Sequence, residues 1–217
     1  MCGRFALSEI PRSLLQMYGL STPMMTPRYN VAPTQPVPVV IKEAGKVLVQ
    51  NMVWGLVPYW AKDRKIGARS INARAETVAE KPTFREPFKR RRCLVPASGF
   101  YEWKKGPGTS RTPYYFVAAD VERPLVFAGL WDEWKGGDES VRSFTIITIS
   151  ADQQMAAFHD RMPVMLAPEQ WDPWLSTDAP ANPSLLTGGT VPLEFWPVDS
   201  YVNKAGNEGA QCIESLA

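Results

Sequence analysis

Histidine is nearly absent from this sequence: His159 is the only one in 217 residues. That single count removes every motif needing two imidazoles, among them HExxH zinc sites, HxH sites and paired-histidine phosphohydrolases. Cysteine is almost as scarce. Cys2, Cys93 and Cys212 form an odd, scattered set without a CxxC, which argues against a disulfide framework and against a zinc cluster. Neither a GxxxxGK[ST] phosphate loop nor a GxGxxG fingerprint occurs, so no dedicated nucleotide site is expected. No apolar run approaches the ~20 residues of a membrane-spanning helix. The start, MCGRFALSEIPRS, has neither the basic stretch nor the apolar run of a signal peptide. A cytoplasmic protein is expected, nucleoid-associated if bacterial. Excess charge is missing too. Lys plus Arg number 24 against 22 Asp plus Glu, so a nucleic-acid site has to be a local patch.

What is present is an ordinary globular mixture, 45% apolar and 21% charged, which excludes wholesale disorder. Length and the lack of a linker point to one domain over residues 1–217, with an irregular tail from 203. The 20 prolines and 15 glycines imply short elements and many turns. Residues 8–19 read as a helix, capped by Ser8, with Pro11 in its first turn. Residues 22–36 read as loop and 55–71 as mostly irregular. Strands are expected at 37–42, 46–54, 93–96, 99–104, 113–118, 124–131, 143–150 and 194–199. Helices are expected at 72–79, 83–91 and 168–175, and hairpin connections at Gly106-Pro107-Gly108 and Gly136-Gly137. Strands outnumber helices without βαβ alternation. The expected class is therefore α+β, with a mixed or antiparallel, barrel-like sheet core and short flanking helices.

Few residues remain to carry chemistry. Removal of Met1 would make Cys2 the first residue, with an amine and a thiol on adjacent carbons. Their ordinary pKa values, ~7.7–8.0 and ~8.5, leave both partly nucleophilic near neutrality. With an aldehyde, the amine forms an imine and the thiol closes a five-membered thiazolidine. The bland alternative is an incidental cysteine. Glu102 lies in SGFYEWKK, where strand alternation sets it opposite Tyr101 and Trp103. It is either solvent-facing or, in a pocket, a proton shuttle with a raised pKa. His159, in AAFHDRMPVML, is either a half-buried structural histidine or an acid–base group. Asn72 opens INARAET and suits a helix cap, orientation of an amine and a ring oxygen together, or both. Arg4 and Arg74 are phosphate candidates, or ordinary surface arginines. The run from Lys89 to Arg92 is read as a solvated helix end rather than a phosphate track. Most of the eight tryptophans are expected in the core.

Six segments then occur in a telling order: MCGRFAL, RYNVAPTQ (28–35), WGLVPYW (54–60), INARAET (71–77), CLVPASGFYEWKK (93–105) and FHDRMPV (158–164). The chain resembles the SRAP (SOS response-associated peptidase) family, which includes abasic-site processing proteins, from residue 2 to roughly 207. The resemblance implies a barrel-like fold with a groove for single-stranded DNA. It also implies a substrate, the aldehyde of an abasic site, captured by mature Cys2 as a thiazolidine crosslink that shields the lesion. By the same resemblance, Asn72 would position the amine and the opened sugar, Glu102 would shuttle protons, and His159 would assist sugar opening and crosslink reversal. Arg4, Arg74 and Arg161 would hold phosphates. Trp103 and Asn30 would line the groove, and Pro33 and Trp60 would stack at a single-strand to duplex junction. Autopeptidase and abasic-site lyase activities are further family expectations, although only Met1 precedes Cys2. Met162 and Val164 depart from the family pattern, and the lack of arginine at 162 removes one phosphate contact. No metal or organic cofactor is needed, and a monomer suffices. Two other readings remain at this stage: a glutaminase-like hydrolase with an N-terminal cysteine nucleophile, and a non-catalytic single-strand binder.

Overall fold

In the computed structural model, residues 2–136, 138–178, 181–187 and 191–216 are described. The strands are β1 (Phe5–Leu7), β2 (Arg28–Val31), β3 (Pro36–Glu43), β4 (Lys46–Trp54), β5 (Asn72–Arg74), β6 (Arg92–Pro96), β7 (Gly99–Lys105), β8 (Arg111–Ala118), β9 (Val126–Gly136), β10 (Glu139–Ser150), β11 (Arg161–Pro163) and β12 (Leu193–Pro197). Three short helices accompany them: α1 (Arg12–Met17), α2 (Arg85–Arg90) and α3 (Pro168–Leu175). Among the described residues no helix is long and apolar enough to cross a membrane.

β10, β4, β3, β6 and β9 close into a barrel, because β9 also pairs with β10. The β4–β10 contact is parallel and the other barrel pairings are antiparallel, so the barrel is mixed. β3 tolerates Pro36 and Pro38 because β6 pairs only with its Val40 and Ile41, leaving the missing N–H groups off the ladder. The second sheet runs β12-β8-β7-β1-β2 and is antiparallel throughout.

Three apolar clusters join these layers. The largest unites barrel residues such as Val39, Trp54 and Phe144 with Cys2, Phe5, Phe100 and Phe116 from the inner face of the five-stranded sheet. Outside the barrel, Val40, Leu94 and Ile147 pack under Leu14 of α1, Phe88 of α2 and Trp171 and Trp174 of α3. The outer face of the five-stranded sheet, with Tyr101 and Tyr115, is covered by Val198, Val202 and Cys212. The irregular tail is thus a packed layer held by short turns.

Several expectations change. Ser8 does not cap α1: its amide and hydroxyl meet the Ser98 hydroxyl at 2.9 and 2.8 Å, and Pro11 occupies the cap position instead. Residues 22–36 contain β2, and β11 is a strand too short to show a period. Asn72 caps no helix. Residues 72–74 form β5, because the free edge of β10 at Ile146–Thr148 offers a parallel ladder, and only Ala75–Thr77 make a 3-10 turn. The basic run is not uniformly solvated either. Arg92 is buried, and its guanidinium donates to the carbonyls of Phe88, Lys89, Trp174 and Ser176. The Gly106–Gly108 turn joins β7 to β8 as expected, whereas Gly137 lies outside the described residues.

Candidate active site and nucleic-acid interface

The chain delivers Cys2 to the inner face of the five-stranded sheet. β1 pairs with β7 through Phe5–Phe100 and Ala6–Gly99, and the Tyr101 amide donates to the Arg4 carbonyl at 3.0 Å. Extending this register sets Gly3 opposite Glu102. Strand alternation then turns Glu102 to the same face as Phe100 and away from Tyr101 and Trp103, as the sequence implies. Glu102 is only 4% exposed. Burial pushes its carboxyl pKa up from the ordinary 4.5. Burial, and then the charge of Glu102, push the Cys2 thiol up as well.

Asn72 arrives on β5. The Trp54 indole donates to the Ile71 carbonyl at 2.9 Å and fixes the chain just before it. The Asn72 amide nitrogen donates to the Cys2 carbonyl at 2.9 Å. Its amide oxygen is buried and accepts no hydrogen bond among the described residues. A buried acceptor without a donor is costly, so it is held ready for one.

His159 follows a 3-10 turn (Met155–Ala157) and precedes β11. Its Nδ1 accepts from the Arg161 amide at 2.9 Å, which leaves Nε2 as the protonated nitrogen of the neutral ring. Asp160 Oδ1 also lies 2.7 Å from Nδ1, a contact that attracts only once the ring is doubly protonated. Burial lowers the His159 pKa below 6.5, so the backbone bond and the neutral ring govern near pH 7. β10 links the two loops: Thr148 pairs with Arg74 on one edge and Pro163 on the other. Arg161 adds a two-pronged bond to Glu76 at 2.7 and 2.8 Å and donates to the Thr148 carbonyl at 2.6 Å. Its charge is largely used within the protein, whereas Arg74 is exposed.

The remaining candidates divide between two places. Arg4, Asn30 and Trp103 converge on the outer face. Arg4 donates to Asn30 Oδ1 at 2.6 Å and to the Val202 carbonyl at 2.8 Å, and its guanidinium lies 5.9 Å from the Trp103 ring. Asn30 is fully buried, and its amide donates to the carbonyls of Val202, Lys204 and Asn207. Trp103 donates to Asn203 at 2.7 Å. Trp60, 47% exposed, sits on a separate loop. Asp132 accepts from the Tyr59 amide at 3.1 Å, and Trp134 donates to the Ala61 carbonyl at 2.7 Å, so both flanks of Trp60 are pinned. A cavity of about 500 Å³ beside Trp60 is lined by Lys62, Lys65 and Arg69 with one acid, Asp63, and none of these three cations was singled out from the sequence. Their spacing in AKDRKIGAR was the available signal. Pro33 is half-buried, next to Thr34, whose φ of 71° marks a sharp bend. Among the described residues no three His, Cys, Asp or Glu side chains cluster as a metal would need.

The family model of the SOS response associated peptidases matches residues 1–205. The chain belongs to the SRAP family. The SRAP chain is 37% identical to the abasic site processing protein YoqW of Bacillus subtilis, covering 99% of this chain and 100% of that one. It is 30% identical to the abasic site processing protein YedK of Escherichia coli, with 100% of each covered. A solved protein from Bacteroides thetaiotaomicron superposes with a TM-score of 0.85 at 27% identity, covering both chains completely. The SRAP fold therefore includes the barrel, the second sheet and the short helices described above.

Proposed function

We propose that this protein captures abasic sites in single-stranded DNA through a covalent thiazolidine formed by Cys2 after removal of Met1. The observation that carries the reading is the Asn72–Cys2 hydrogen bond, with the Asn72 amide oxygen left as an unpartnered acceptor beside the Cys2 backbone. Once Met1 is gone, the Cys2 nitrogen is a primary amine, and this oxygen accepts one of its N–H bonds. The amine lone pair then points at an incoming aldehyde.

The amine adds to the aldehyde carbon of the opened sugar. The carbinolamine loses its oxygen as water and becomes an imine. Cys2 Sγ adds to the imine carbon, the thiol proton ends on the imine nitrogen, and the five-membered ring closes. The raised thiol pKa means that little thiolate exists at neutrality, so ring closure needs a base. Glu102, buried and itself raised in pKa, is poised to take that proton and return it to nitrogen. Neutral His159, with Nε2–H available, serves sugar opening and, with Glu102, the reverse steps. Trp60 with Lys62, Lys65 and Arg69 supplies a stacking and phosphate surface, and Arg74 a further cation. Lyase chemistry from the imine is the branch taken when the ring fails to close. The names of YoqW and YedK support abasic-site processing, and the site geometry supports the covalent route.

The test is a denaturing gel of Met1-free protein incubated with an oligonucleotide bearing one abasic site. A heat-stable, lesion-dependent band lost in Cys2→Ala supports the reading. An equal band with Cys2→Ala, or none with the wild type, overturns it.

A further inference from the structure

The inner face of the five-stranded sheet carries two rows of side chains. By register, one row runs Phe195, Phe116, Phe100, Phe5. The next runs Pro197, Tyr114, Glu102 and, by extension, Gly3. Tyr114 is therefore the direct cross-strand neighbour of Glu102, and Phe195 lies diagonally beyond it on the edge strand β12. Phe158, immediately before His159, packs edge-on against both, with ring centroids 5.0 Å from Tyr114 and 5.1 Å from Phe195. Phe195 nevertheless remains 37% exposed, and Tyr114 is half-buried. The capture chemistry uses none of these three rings.

Charge accompanies them. Lys104 Nζ lies 5.7 Å from the Phe158 ring centroid, and the charge of Lys105 is felt at His159. Both lysines are exposed. Glu194, the acid next to Phe195, alternates to the other face of β12.

We propose that Tyr114, Phe158 and Phe195 form a shelf on which one unpaired nucleobase next to the abasic site stacks, with Lys104 and Lys105 holding the adjoining phosphate. This rests on the reading of the site as a binder of single-stranded abasic DNA. A lesion without a base leaves its neighbour without a stacking partner, and an exposed aromatic beside the reacting groups restores one. The shelf is separate from Trp60, which stands on its own pinned loop.

The test measures binding of Met1-free protein by fluorescence anisotropy. The probe is single-stranded DNA with a central tetrahydrofuran, which lacks the aldehyde, flanked either by normal nucleotides or by a second tetrahydrofuran on the 5′ or 3′ side. With normal flanks, Phe195→Ala and Phe195→Leu raise Kd at least about fivefold, the low end for one stacked base. The penalty vanishes when the flanking base on one particular side is missing. The Lys104→Gln/Lys105→Gln variant lowers the slope of log Kd against log salt by about one unit. Unchanged Kd in both Phe195 variants, or a penalty that persists whichever flanking base is removed, overturns the shelf. Leucine keeps the apolar contacts of Phe195, so a loss shared by both variants is not a folding defect. A wild type that binds the tetrahydrofuran strand but fails to crosslink a true abasic strand sinks the capture chemistry and leaves the shelf to be scored.

Discussion

The five-stranded sheet has polar groups on both faces and treats them in opposite ways. On the outer face, Asn30 spends its amide on three carbonyls and its oxygen on Arg4, and Trp103 is tied to Asn203. On the inner face, Glu102 is buried against its ionised form, and the oxygen of Asn72, which reaches Cys2 from β5, accepts no hydrogen bond among the described residues. Asn30 and Glu102 are both buried, so burial alone does not tell the two faces apart. The two asparagines differ in how their amides are used: Asn30 is bonded through both ends of its amide, Asn72 through its nitrogen alone. The outer face clamps the C-terminal segment against the start of β1 and against β2, and on the reading proposed above the inner face takes the substrate.

Four substitutions sharpen or break this contrast. The largest effect is expected from Cys2→Ala, which abolishes the heat-stable DNA adduct and, through the lost core contacts of a buried thiol, lowers the thermal midpoint by only about 2–4 °C. Loss of the adduct together with loss of the fold would assign Cys2 to the core alone. Glu102→Gln follows, slowing adduct formation about 10²–10⁴-fold in single-turnover time courses. Its stability moves the other way. A carboxyl raised in the folded state favours folding most below its ordinary 4.5, and that contribution is lost as pH rises through the higher folded value. Denaturant titrations should therefore show Glu102→Gln gaining on the wild type as pH climbs above 4.5, and equal curves at all pH would remove the desolvation argument.

On the outer face the pattern inverts. Asn30→Ala strips three carbonyls and Arg4 of a partner and should cost about 2–4 kcal/mol in urea unfolding. Its adduct rate per folded molecule should stay within threefold of the wild type; a rate collapse with normal stability would place Asn30 in the reaction. The smallest effect belongs to Glu76→Gln. The Arg161 hydrogen bonds hold the Glu76 carboxyl below 4.5, so the pair stabilises above that pH and fades as pH falls through the folded value. Glu76 is half-exposed, which limits the loss to about 1 kcal/mol. A difference that survives into strong acid would show that the carboxylate is not its source.

Strong local signals were legible in the sequence. β4 spans 46–54 and α3 spans 168–175 as the alternation and the Pro168 start imply. The alternation at Tyr101-Glu102-Trp103 also gave the facing of Glu102 correctly. Short strands were not legible: β2, β5 and β11 have three or four residues each, and their ladders come from distant edges. The same distance hid the partners of the cations. Arg161 and Glu76 are 85 positions apart, so a phosphate ligand and an internal ion pair look alike in one dimension. The clamp on Arg4 was invisible for that reason also, since Val202 lies 198 positions away.

The hydrogen bond from Asn72 to the Cys2 carbonyl has a consequence in time as well as in space. Asn72, Glu102 and His159 all leave the ribosome well after Cys2. β5 has no ladder until Ile146–Thr148 of β10 exist to receive it. Until then Cys2 goes without the hydrogen bond that Asn72 gives its carbonyl in the finished fold.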